Sequence, residues 1–421
     1  MLIWIIKDGE YMPVQKNTRM MRSWMLSNEL IEKGHSIVWW ASTFSHQEKK
    51  LIYDYDVEIK VRPQFKLKLL YAGKYSKNIS VKRYLHHYLL GKSFEKHSVL
   101  QPPPDIIVCS FPLIDLAYKA VFYANRNNIP IIVDVRDLWP DTFINKIPCF
   151  ARKIAKLVFS RDFVKTKELL RNADGLAAIS QGCLNWALRN ANRPESINDR
   201  VFYPAYSEDN LPANRGSEFF QRFKVSVQDK IIFTFIGSFG YSYELRLICD
   251  VAQKLMYSKK NNIHFVLAGN GQQYKTIARR IQRLSNVSLL GWLNKYEIYD
   301  LLRLSNIGLV PCRSVVDAMP NKLAEYFSAG LPILSSLEGE MQKIISDYNV
   351  GYSYKPGDEE AFCRLVMKLF ADPKLRKLQS ENALKLFKSK FNSKDIFNDY
   401  VSYIEQIYTN KRHVFEVSHQ S

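Results

Sequence analysis

Residues 317–332 read DAMPNKLAEYFSAGLP, and the interpretation of the chain starts from this stretch. Pro320 is of the type that often occupies the first turn of a helix. Gly330 is of the type that often follows the last turn. A loop followed by a short helix over residues 322–329 is therefore predicted here.

Two carboxylates and a lysine lie in and around this predicted helix. Asp317 and Glu325 are eight residues apart, and Lys322 lies between them. A helix N-terminus offers free N–H groups to a phosphate, and a carboxylate one turn further along can accept hydrogen bonds from a ribose diol. The spacing is compatible with a nucleotide-diphosphate site and, equally, with an ordinary surface helix.

Short apolar runs alternate with helical stretches along the whole chain, which is typical of strand–helix units on a parallel sheet. The predicted strands are 2–6, 36–41, 57–61, 106–109, 131–135, 175–179, 201–203, 231–236, 264–268, 287–290, 307–310 and 332–335. A chain of 421 residues is too long for one core, so two domains are expected. The predicted division is a domain over 1–205, a linker over 206–220, a domain over 221–395, and a C-terminal helix and tail over 396–421 that could pack back on the first domain.

Glycine residues follow three predicted strands of the second domain, at the sheet edge where open α/β sheets bind ligands. They lie in the turns Gly237-Ser238-Phe239-Gly240, Gly269-Asn270-Gly271 and Gly291-Trp292. Glycine lets a backbone approach a diphosphate closely, although any single turn of this kind also serves simply to reverse the chain. Three such turns, together with the acidic pair, favour a nucleotide site.

The chain carries 60 Lys and Arg against 41 Asp and Glu, a net charge of +19 that predicts anionic partners. Residues 60–92 contain nine of the basic residues and no acidic one. An amphipathic helix is predicted within this tract, with Val81, Tyr84, Leu85, Tyr88 and Leu89 at helical spacing and Lys82 and Arg83 on other faces. Such a helix could lie on an anionic membrane surface, or its apolar stripe could pack on the first domain.

The six cysteines are scattered and form no C-x-x-C pair, which disfavours a zinc ribbon or a redox motif. No cofactor and no metal site is predicted. The opening MLIWIIKDGE is too short for a signal-peptide core, and no apolar run reaches the roughly 18 residues of a membrane-spanning helix. A cytoplasmic location is therefore expected.

Several segments resemble the GT-B glycosyltransferases, in particular the retaining members of family four that build bacterial surface polysaccharides such as O-antigen and capsule. The segments are IWIIKDGEYMP (3–13), DVRDLWPD (134–141), FTFIGSFGYSYEL (233–245), FVLAGNGQQY (265–274) and MPNKLAEYFSAGLPIL (319–334). The resemblance implies an α/β fold of the GT-B type, with two Rossmann-like domains and a deep cleft between them.

The resemblance also implies a role for individual donor-side residues. Glu325 would bind the donor ribose, and Asp317 stands where the family usually has a glutamate beside the transferred sugar. The donor-binding residues implied are Gly237, Ser238, Gly240, Gly269, Gly271, Trp292, Leu293, Arg313, Met319, Pro320, Asn321 and Glu325. Many members carry an arginine and a lysine after the strand at 231–236, whereas the first basic residue here is Arg246. The charge of the diphosphate would then fall on Lys322 and Arg313, with help from backbone N–H groups.

On the acceptor side, Lys16 and Arg19 add positive charge to the loop after the first strand, which suggests an anionic acceptor. His46 and Arg136 also follow strands of the first domain. Asp137 could assist the acceptor hydroxyl or form a structural ion pair with Arg136. Together with Asp317 and Lys322, it completes the candidate catalytic set.

The predicted function is retaining transfer of a hexosyl or N-acetylhexosaminyl unit from a nucleotide-diphosphate sugar, with UDP as the expected nucleotide, to a polyprenyl-diphosphate-linked glycan. The predicted location is the inner face of the cell membrane, where Lys82, Arg83, Tyr84 and Tyr88 would contact the lipid. A sugar-nucleotide epimerase of the same shape is one alternative. A basic nucleic-acid-binding protein is another, although no recognition motif for nucleic acid is visible.

Overall fold

The computed structural model describes residues 1–15, 18–78, 80–207, 229–260, 262–313 and 319–420. The chain divides into two compact units. The first unit comprises residues 1–16, 20–203 and 394–421, and the second comprises residues 17–19 and 204–393. Each unit is built around one large sheet.

The strands and helices alternate along most of the chain. The strands are β1 (Leu2–Ile6), β2 (Ser36–Ser42), β3 (Phe44–Ser45), β4 (Lys50–Leu51), β5 (Val57–Arg62), β6 (Phe65–Leu70), β7 (Ile106–Phe111), β8 (Ile131–Val135), β9 (Gly175–Ala178), β10 (Asp199–Val201), β11 (Ile231–Ile236), β12 (Ile263–Ala268), β13 (Val287–Gly291), β14 (Ile307–Val310), β15 (Ile333–Ser335) and β16 (Gly351–Ser353).

The helices are α1 (Arg22–Glu32), α2 (Val81–Ser98), α3 (Ile114–Arg126), α4 (Asp141–Lys146), α5 (Arg152–Val158), α6 (Ser160–Arg171), α7 (Gln181–Ala191), α8 (Leu245–Tyr257), α9 (Tyr274–Ile281), α10 (Lys295–Arg303), α11 (Lys322–Ser328), α12 (Glu340–Tyr348), α13 (Glu359–Ala371), α14 (Pro373–Leu386) and α15 (Ser393–Gln420). A 3₁₀ turn (Cys149–Ala151) precedes α5.

The sheet of the first unit has eight strands in the order β10-β9-β8-β7-β1-β2-β6-β5. All neighbours run parallel except β5, which pairs antiparallel with β6. The central strands are apolar at almost every position because both faces are covered, as in other parallel sheets. Trp4 of β1, for example, packs on Trp40 of β2 with ring centroids 4.9 Å apart.

The sheet of the second unit has six parallel strands in the order β13-β12-β11-β14-β15-β16. The chain order reverses beside β11, so the loops after β11 and β14 leave the same edge at a topological switch point. This edge carries the glycine turns and the segment around Glu325.

The twelve predicted strands all overlap observed ones, and four of the parallel strands, β1, β8, β11 and β14, match to the residue. Strand β6 was not predicted. Its sequence FKLKLL alternates lysine with buried Phe65, Leu67 and Leu69, which is the period of a half-buried strand. The strand lies inside the basic tract 60–92, for which the charge suggested a membrane surface. Helix α2 also differs from the prediction, because it continues to Ser98, beyond the tract 60–92 in which it was expected.

Helix α15 completes the first unit with its N-terminal half. Tyr400 stacks on Phe202 with ring centroids 4.2 Å apart, and the Tyr403 hydroxyl donates to the Asn198 carbonyl at 2.6 Å. Two buried aromatic rings therefore fasten the C-terminal helix onto the end of the first sheet.

Candidate functional site

The three glycine turns of the second unit lie against one another. The Gly237 N–H donates to the Ala268 carbonyl at 3.0 Å, and the Gly269 N–H donates to the Gly291 carbonyl at 2.6 Å. A Cβ atom at Gly269 would lie 1.8 Å from the carbonyl oxygen of Gly237, and Gly269 has φ of +149°. The two backbones touch in a way that only glycine permits.

Alanine at Gly269 is therefore expected to destabilise the second unit by at least about 2 kcal/mol, through backbone strain and the clash with Gly237. Gly240→Ala is the matched control, because the nearest atom to its added Cβ is 3.7 Å away. The control is expected to stay within about 0.5–1 kcal/mol of wild type. Urea unfolding measures both, and equal midpoints for the two variants would contradict the close approach.

Helix α11 is fastened to the sheet by a buried tyrosine. The Ile236 N–H donates to the Tyr326 hydroxyl oxygen at 3.0 Å, and that hydroxyl reaches the carbonyls of Thr234 and Leu309, each at 3.2 Å. Gly308 leaves room for the ring, since a Cβ there would lie 2.6 Å from it. Tyr326 thereby fixes the orientation of the two neighbouring charged residues of α11, Lys322 and Glu325.

Lys322 holds a buried ammonium group, and its side chain is sandwiched between two aromatic rings. Its Nζ lies 3.8 Å from the centroid of Phe235 and 3.9 Å from that of Tyr243, and the residue is only 7% exposed. No hydrogen-bond partner for Nζ occurs among the described residues. Burial lowers the pKa of Lys322 to about 7, and the charges of Cys312 and Glu325 oppose this shift.

The ammonium group of Lys322 lies beside Gly237, which has no side chain to cover it. A Cβ atom at Gly237 would lie 2.9 Å from Lys322 Nζ, so the absence of a side chain leaves room beside the charge. A buried ammonium without a hydrogen-bond partner is costly, and an anion bound beside it would remove that cost. The arrangement is suited to a phosphate group approaching over Gly237.

Glu325 lies one turn along α11 from Lys322 and is almost completely buried. Neither carboxylate oxygen makes a regular hydrogen bond to a described residue, but Arg19 forms an ion pair with it. Burial raises the pKa of Glu325, and the positive charges of Arg19 and Lys322 oppose that effect. Two acceptor oxygens in a dry site can bind the two hydroxyls of a ribose.

The other predicted donor-side residues are distributed around this edge. Leu293 and Met319 are buried, whereas Ser238, Trp292, Arg313 and Asn321 are exposed. Asn321 precedes α11 without a side-chain capping bond, and α11 has only seven residues. The buried Lys322, and not the N-terminus of this short helix, is therefore the candidate anion-binding group. Asp317 and Lys16 lie outside the described residues.

In the first unit, Arg136 is part of a buried ionic network. Its guanidinium pairs with Asp134 of β8 and with Glu10 of the loop after β1, and Arg22 of α1 donates to Asp134 at 2.9 Å. Burial alone would raise the pKa of Asp134, but Arg136 and Arg22 lower it to about 2. The network therefore ties the loop after β1 to the end of β8.

Asp137 is not the partner of Arg136. Its carboxylate accepts hydrogen bonds from Leu138 N–H at 2.8 Å, the Thr142 hydroxyl at 2.8 Å and the Trp139 indole at 3.0 Å. These contacts all lie within the loop and the first turn of α4. The geometry suits a carboxylate that holds the loop between β8 and α4 in place.

His46 belongs to a cluster of buried polar groups that the sequence did not reveal. Its Nδ1 lies 2.6 Å from the Tyr75 hydroxyl, and burial followed by repulsion from Lys49 lowers the pKa of His46 to about 4. Asp8, just after β1, lies 3.8 Å from His86 Nε2. His46 is therefore neutral near pH 7, and it can accept or donate a hydrogen bond but carries no charge.

Helix α2 exposes the apolar stripe that the sequence placed on it. Val81, Tyr84, Leu85, Tyr88 and Leu89 are 40–85% exposed, which contradicts the alternative that this stripe packs on the first unit. The buried face carries His86, His87, Leu90 and Phe94 instead. Arg83 points away from the exposed face, with its guanidinium 4.8 Å from the Trp139 ring centroid. Lys82 remains exposed.

Within the described ranges, no helix is long and apolar enough to cross a membrane. The same residues contain no group of three His, Cys, Asp or Glu side chains arranged to hold a metal ion.

Comparison with known proteins finds a family match within the second unit. Residues 217–386 match the family model for glycosyl transferases group 1. EpsD of Bacillus subtilis, which is named as a putative glycosyltransferase, is 27% identical over 134 residues, 31% of this chain and 34% of that protein. An uncharacterized glycosyltransferase of Methanocaldococcus jannaschii is 23% identical over 273 residues, 63% of this chain and 64% of that protein. The match thus spans about a third of the length of EpsD and just under two thirds of the length of the Methanocaldococcus protein.

Solved structures show the fold of the whole chain. Sucrose-phosphate synthase of Thermosynechococcus elongatus superposes with a TM-score of 0.76 at 14% identity, covering 97% of this chain and 99% of that chain. WaaG, a glycosyltransferase involved in lipopolysaccharide biosynthesis, superposes with a TM-score of 0.68 at 14% identity, covering 96% of this chain and 99% of WaaG. Anabaena HepE in complex with UDP and glucose superposes with a TM-score of 0.69 at 11% identity, covering 96% of this chain and 100% of HepE. The GT-B fold predicted from the sequence is confirmed.

Proposed function

We propose that the protein is a retaining glycosyltransferase that moves a hexosyl or N-acetylhexosaminyl unit from a UDP-sugar to a polyprenyl-diphosphate-linked glycan. The observation that carries the donor half of this proposal is the pair formed by Lys322 and Glu325. Both are buried, and both lack hydrogen-bond partners among the described residues, apart from the ion pair between Glu325 and Arg19. The match of residues 217–386 to glycosyl transferases group 1 supports the same function.

In this proposal the donor lies along the glycine turns. The diphosphate binds beside the Lys322 ammonium over Gly237, and the ribose hydroxyls donate to Glu325. Glycosyl transfer breaks the bond between sugar and phosphate, so negative charge grows on the leaving diphosphate. A buried lysine beside that charge stabilises it more as it develops, which is the condition for lowering the barrier. The structure of HepE with UDP and glucose supports a UDP-sugar as donor.

The acceptor side is assigned to the loops that follow the strands of the first unit. Arg136, through Glu10 and Asp134, fixes the start of the segment that carries the basic residue Lys16. Arg19, which was predicted on the acceptor side, belongs to the second unit and pairs with Glu325 instead. Asp137 positions the next loop, and the neutral His46 offers a hydrogen bond to an acceptor hydroxyl. In this proposal Asp317 contacts the transferred sugar. The basic segment suits the diphosphate of a lipid-linked acceptor.

Membrane attachment is proposed for the exposed face of α2. A stripe of five exposed apolar side chains beside Lys82, in a tract of nine basic and no acidic residues, is suited to an anionic bilayer surface. The proposed location is the cytoplasmic face of the cell membrane, where polyprenyl-linked glycans for surface polysaccharides are extended. The structural similarity to WaaG, which is involved in lipopolysaccharide biosynthesis, supports this setting.

Among nucleoside diphosphates, UDP is expected to give the largest rise in the thermal unfolding midpoint, because a ligand that binds only the folded protein stabilises it. Differential scanning fluorimetry with UDP, GDP, dTDP and ADP at equal concentrations measures this. A flat response to all four would contradict the donor site. Release of UDP from UDP-sugars in the presence of a polyprenyl-diphosphate glycan then tests transfer itself, and distinguishes it from epimerisation, which consumes no glycan acceptor.

A further inference from the structure

The segment between Asp141 and Asp162 contains a second exposed apolar face, separate from that of α2. Phe150, Ile154, Leu157 and Val158 are spaced i, i+4, i+7 and i+8, which places them on one side of the turn and helix that carry them. Their side chains are 87%, 68%, 75% and 69% exposed. In a helix of a soluble domain such a stripe normally faces the core, and here it faces outward.

The turn and helix that carry the stripe have no buried face to compensate. No residue of the 3₁₀ turn Cys149–Ala151 or of helix α5 is buried. Arg152 holds the turn in place by donating to the carbonyls of Ile147 at 2.9 Å and Asn145 at 3.1 Å. The segment is therefore an ordered projection whose apolar side chains remain exposed within the described chain.

The charged residues between Asp141 and Asp162 are all basic. Residues 142–161 include five basic residues and no acidic one. Lys153 and Lys156 are exposed on α5 itself. An apolar stripe with lysines on the same helix complements an anionic bilayer, which has an apolar interior and negatively charged headgroups.

The segment also lies close to α2. The Tyr84 hydroxyl of α2 donates to the Asp162 carboxylate at 3.1 Å, at the start of α6 and four residues after Val158. Helix α2 therefore contacts the start of α6, which directly follows α5 in the same unit. Two weak attachment points on one rigid unit bind a membrane far more tightly than either alone.

We propose that the apolar face of Phe150, Ile154, Leu157 and Val158 is a membrane-insertion segment that enters an anionic bilayer, while α2 lies on its surface. The proposal rests on the membrane setting of the proposed function, and it assigns the deeper contact to residues outside the basic tract 60–92.

Cys149 provides a direct probe, because it is exposed next to Phe150, whereas four of the other cysteines are buried. The partly exposed Cys363 is replaced by serine, and Cys149 of the full chain is labelled with the fluorophore NBD. Vesicles of phosphatidylcholine with and without phosphatidylglycerol are then added. Blue-shifted, brighter emission with the anionic vesicles is expected. Flotation with those vesicles and an unchanged NBD spectrum would overturn the insertion and leave attachment through α2 standing.

A pair of variants measures the contribution of the side chains. Ile154→Ser/Leu157→Ser is expected to lower affinity for the anionic vesicles by about tenfold or more. Val99→Ser/Leu100→Ser is the control, because these residues of the same unit are 68% and 69% exposed and lie outside the segment. Its affinity is expected to stay within about twofold of wild type. Equal affinities for the two variants would overturn the proposal.

Two further readouts separate membrane insertion from a defective donor site and from self-association. The UDP-induced thermal shift is expected to be unchanged in Ile154→Ser/Leu157→Ser, so a failure of the donor site is recognised separately from a failure of insertion. Light scattering reports the oligomeric state. If the variant converts a dimer into a monomer without changing vesicle affinity, the face binds a second copy of the chain and the proposal is overturned.

Discussion

Glutamine in place of Glu325 is expected to lower kcat/KM for the nucleotide sugar by about a hundredfold or more while the protein remains folded. The carboxylate is buried and offers two acceptor oxygens that no described residue uses in a regular hydrogen bond. Two ribose hydroxyls would each donate to a charged acceptor, and such bonds are among the stronger ones in proteins. Glutamine keeps the shape but replaces one acceptor with a donor and removes the charge.

The same variant tests whether the loss comes from the site or from the fold. Burial raises the pKa of Glu325, so the folded state holds its proton more tightly than the unfolded state does. Stability contributed by this group therefore falls as pH rises above the ordinary pKa of a glutamate. Glutamine lacks this effect, and the variant is expected to be at least as stable as wild type at pH 7 in thermal unfolding.

Glu381→Gln is the matched control, because Glu381 is an exposed glutamate of α14 in the same unit. It is expected to leave turnover and the UDP response unchanged. Turnover of Glu325→Gln within a few-fold of this control would remove Glu325 from the donor site. A lowered turnover accompanied by an unaltered UDP-induced shift would place Glu325 on the sugar, and not on the nucleotide.

The sheets were predictable because their information is local. Strand β11, for example, is an almost unbroken apolar run, IIFTFI, which is typical of a parallel strand covered on both faces. Strand β6 escaped prediction because its lysines dominate the local composition, although every second residue is apolar. The alternation of apolar residues indicated a strand, whereas the lysines suggested an exposed basic tract. The alternation was the correct guide.

Helix α2 shows what helical spacing leaves undetermined. The stripe at Val81, Tyr84 and Leu85 is real, but spacing identifies a face without saying which way it points. A second face holding His86 and His87 is the buried one. His86 Nδ1 lies 3.1 Å from the Gly73 carbonyl oxygen, and its Nε2 lies near Asp8. Tertiary partners of this kind decide the orientation of a helix and leave no local signal.

The sequence motif singles out the candidate residues but does not reveal their environment. Lys322 and Glu325 follow from the motif around them. The rings of Phe235 and Tyr243 that enclose Lys322 come from a strand and a loop about eighty residues earlier. That enclosure changes an ordinary lysine into one whose pKa is lowered to about 7. The burial that makes it chemically distinctive is visible only in the structure.

Methionine at Lys322 is expected to weaken UDP binding by about tenfold to a hundredfold and to lower turnover at least as much. The unbranched methionine side chain still fills the space between Phe235 and Tyr243, so the change removes the charge and preserves most of the packing. Lys343→Met, an exposed lysine of α12 in the same unit, is the control and is expected to bind UDP as wild type does. Calorimetric titration with UDP measures the binding affinity of wild type, Lys322→Met and Lys343→Met.

Proton uptake gives the sharper form of this prediction. With a pKa of about 7, Lys322 is mostly neutral at pH 8 in the free protein. A diphosphate beside it favours the ammonium form, so binding at pH 8 draws a proton from the buffer. The observed binding enthalpy of wild type at pH 8 is then expected to vary with the ionisation enthalpy of the buffer. Lys322→Met is expected to show no such dependence, and Lys343→Met should behave like wild type.

Stability provides an independent measure of the same group. The lowered pKa means that the folded state releases the Lys322 proton more readily than the unfolded state, so the stability of wild type rises as pH increases from about 7 toward the ordinary lysine value of 10.5. Lys322→Met carries no buried charge, and it is expected to be more stable than wild type at pH 7 and to lack this rise. A variant that binds UDP poorly yet unfolds at higher temperature would show that Lys322 is retained for the ligand, at a cost to the fold. A variant that is destabilised at pH 7 and binds UDP normally would instead assign Lys322 to the core.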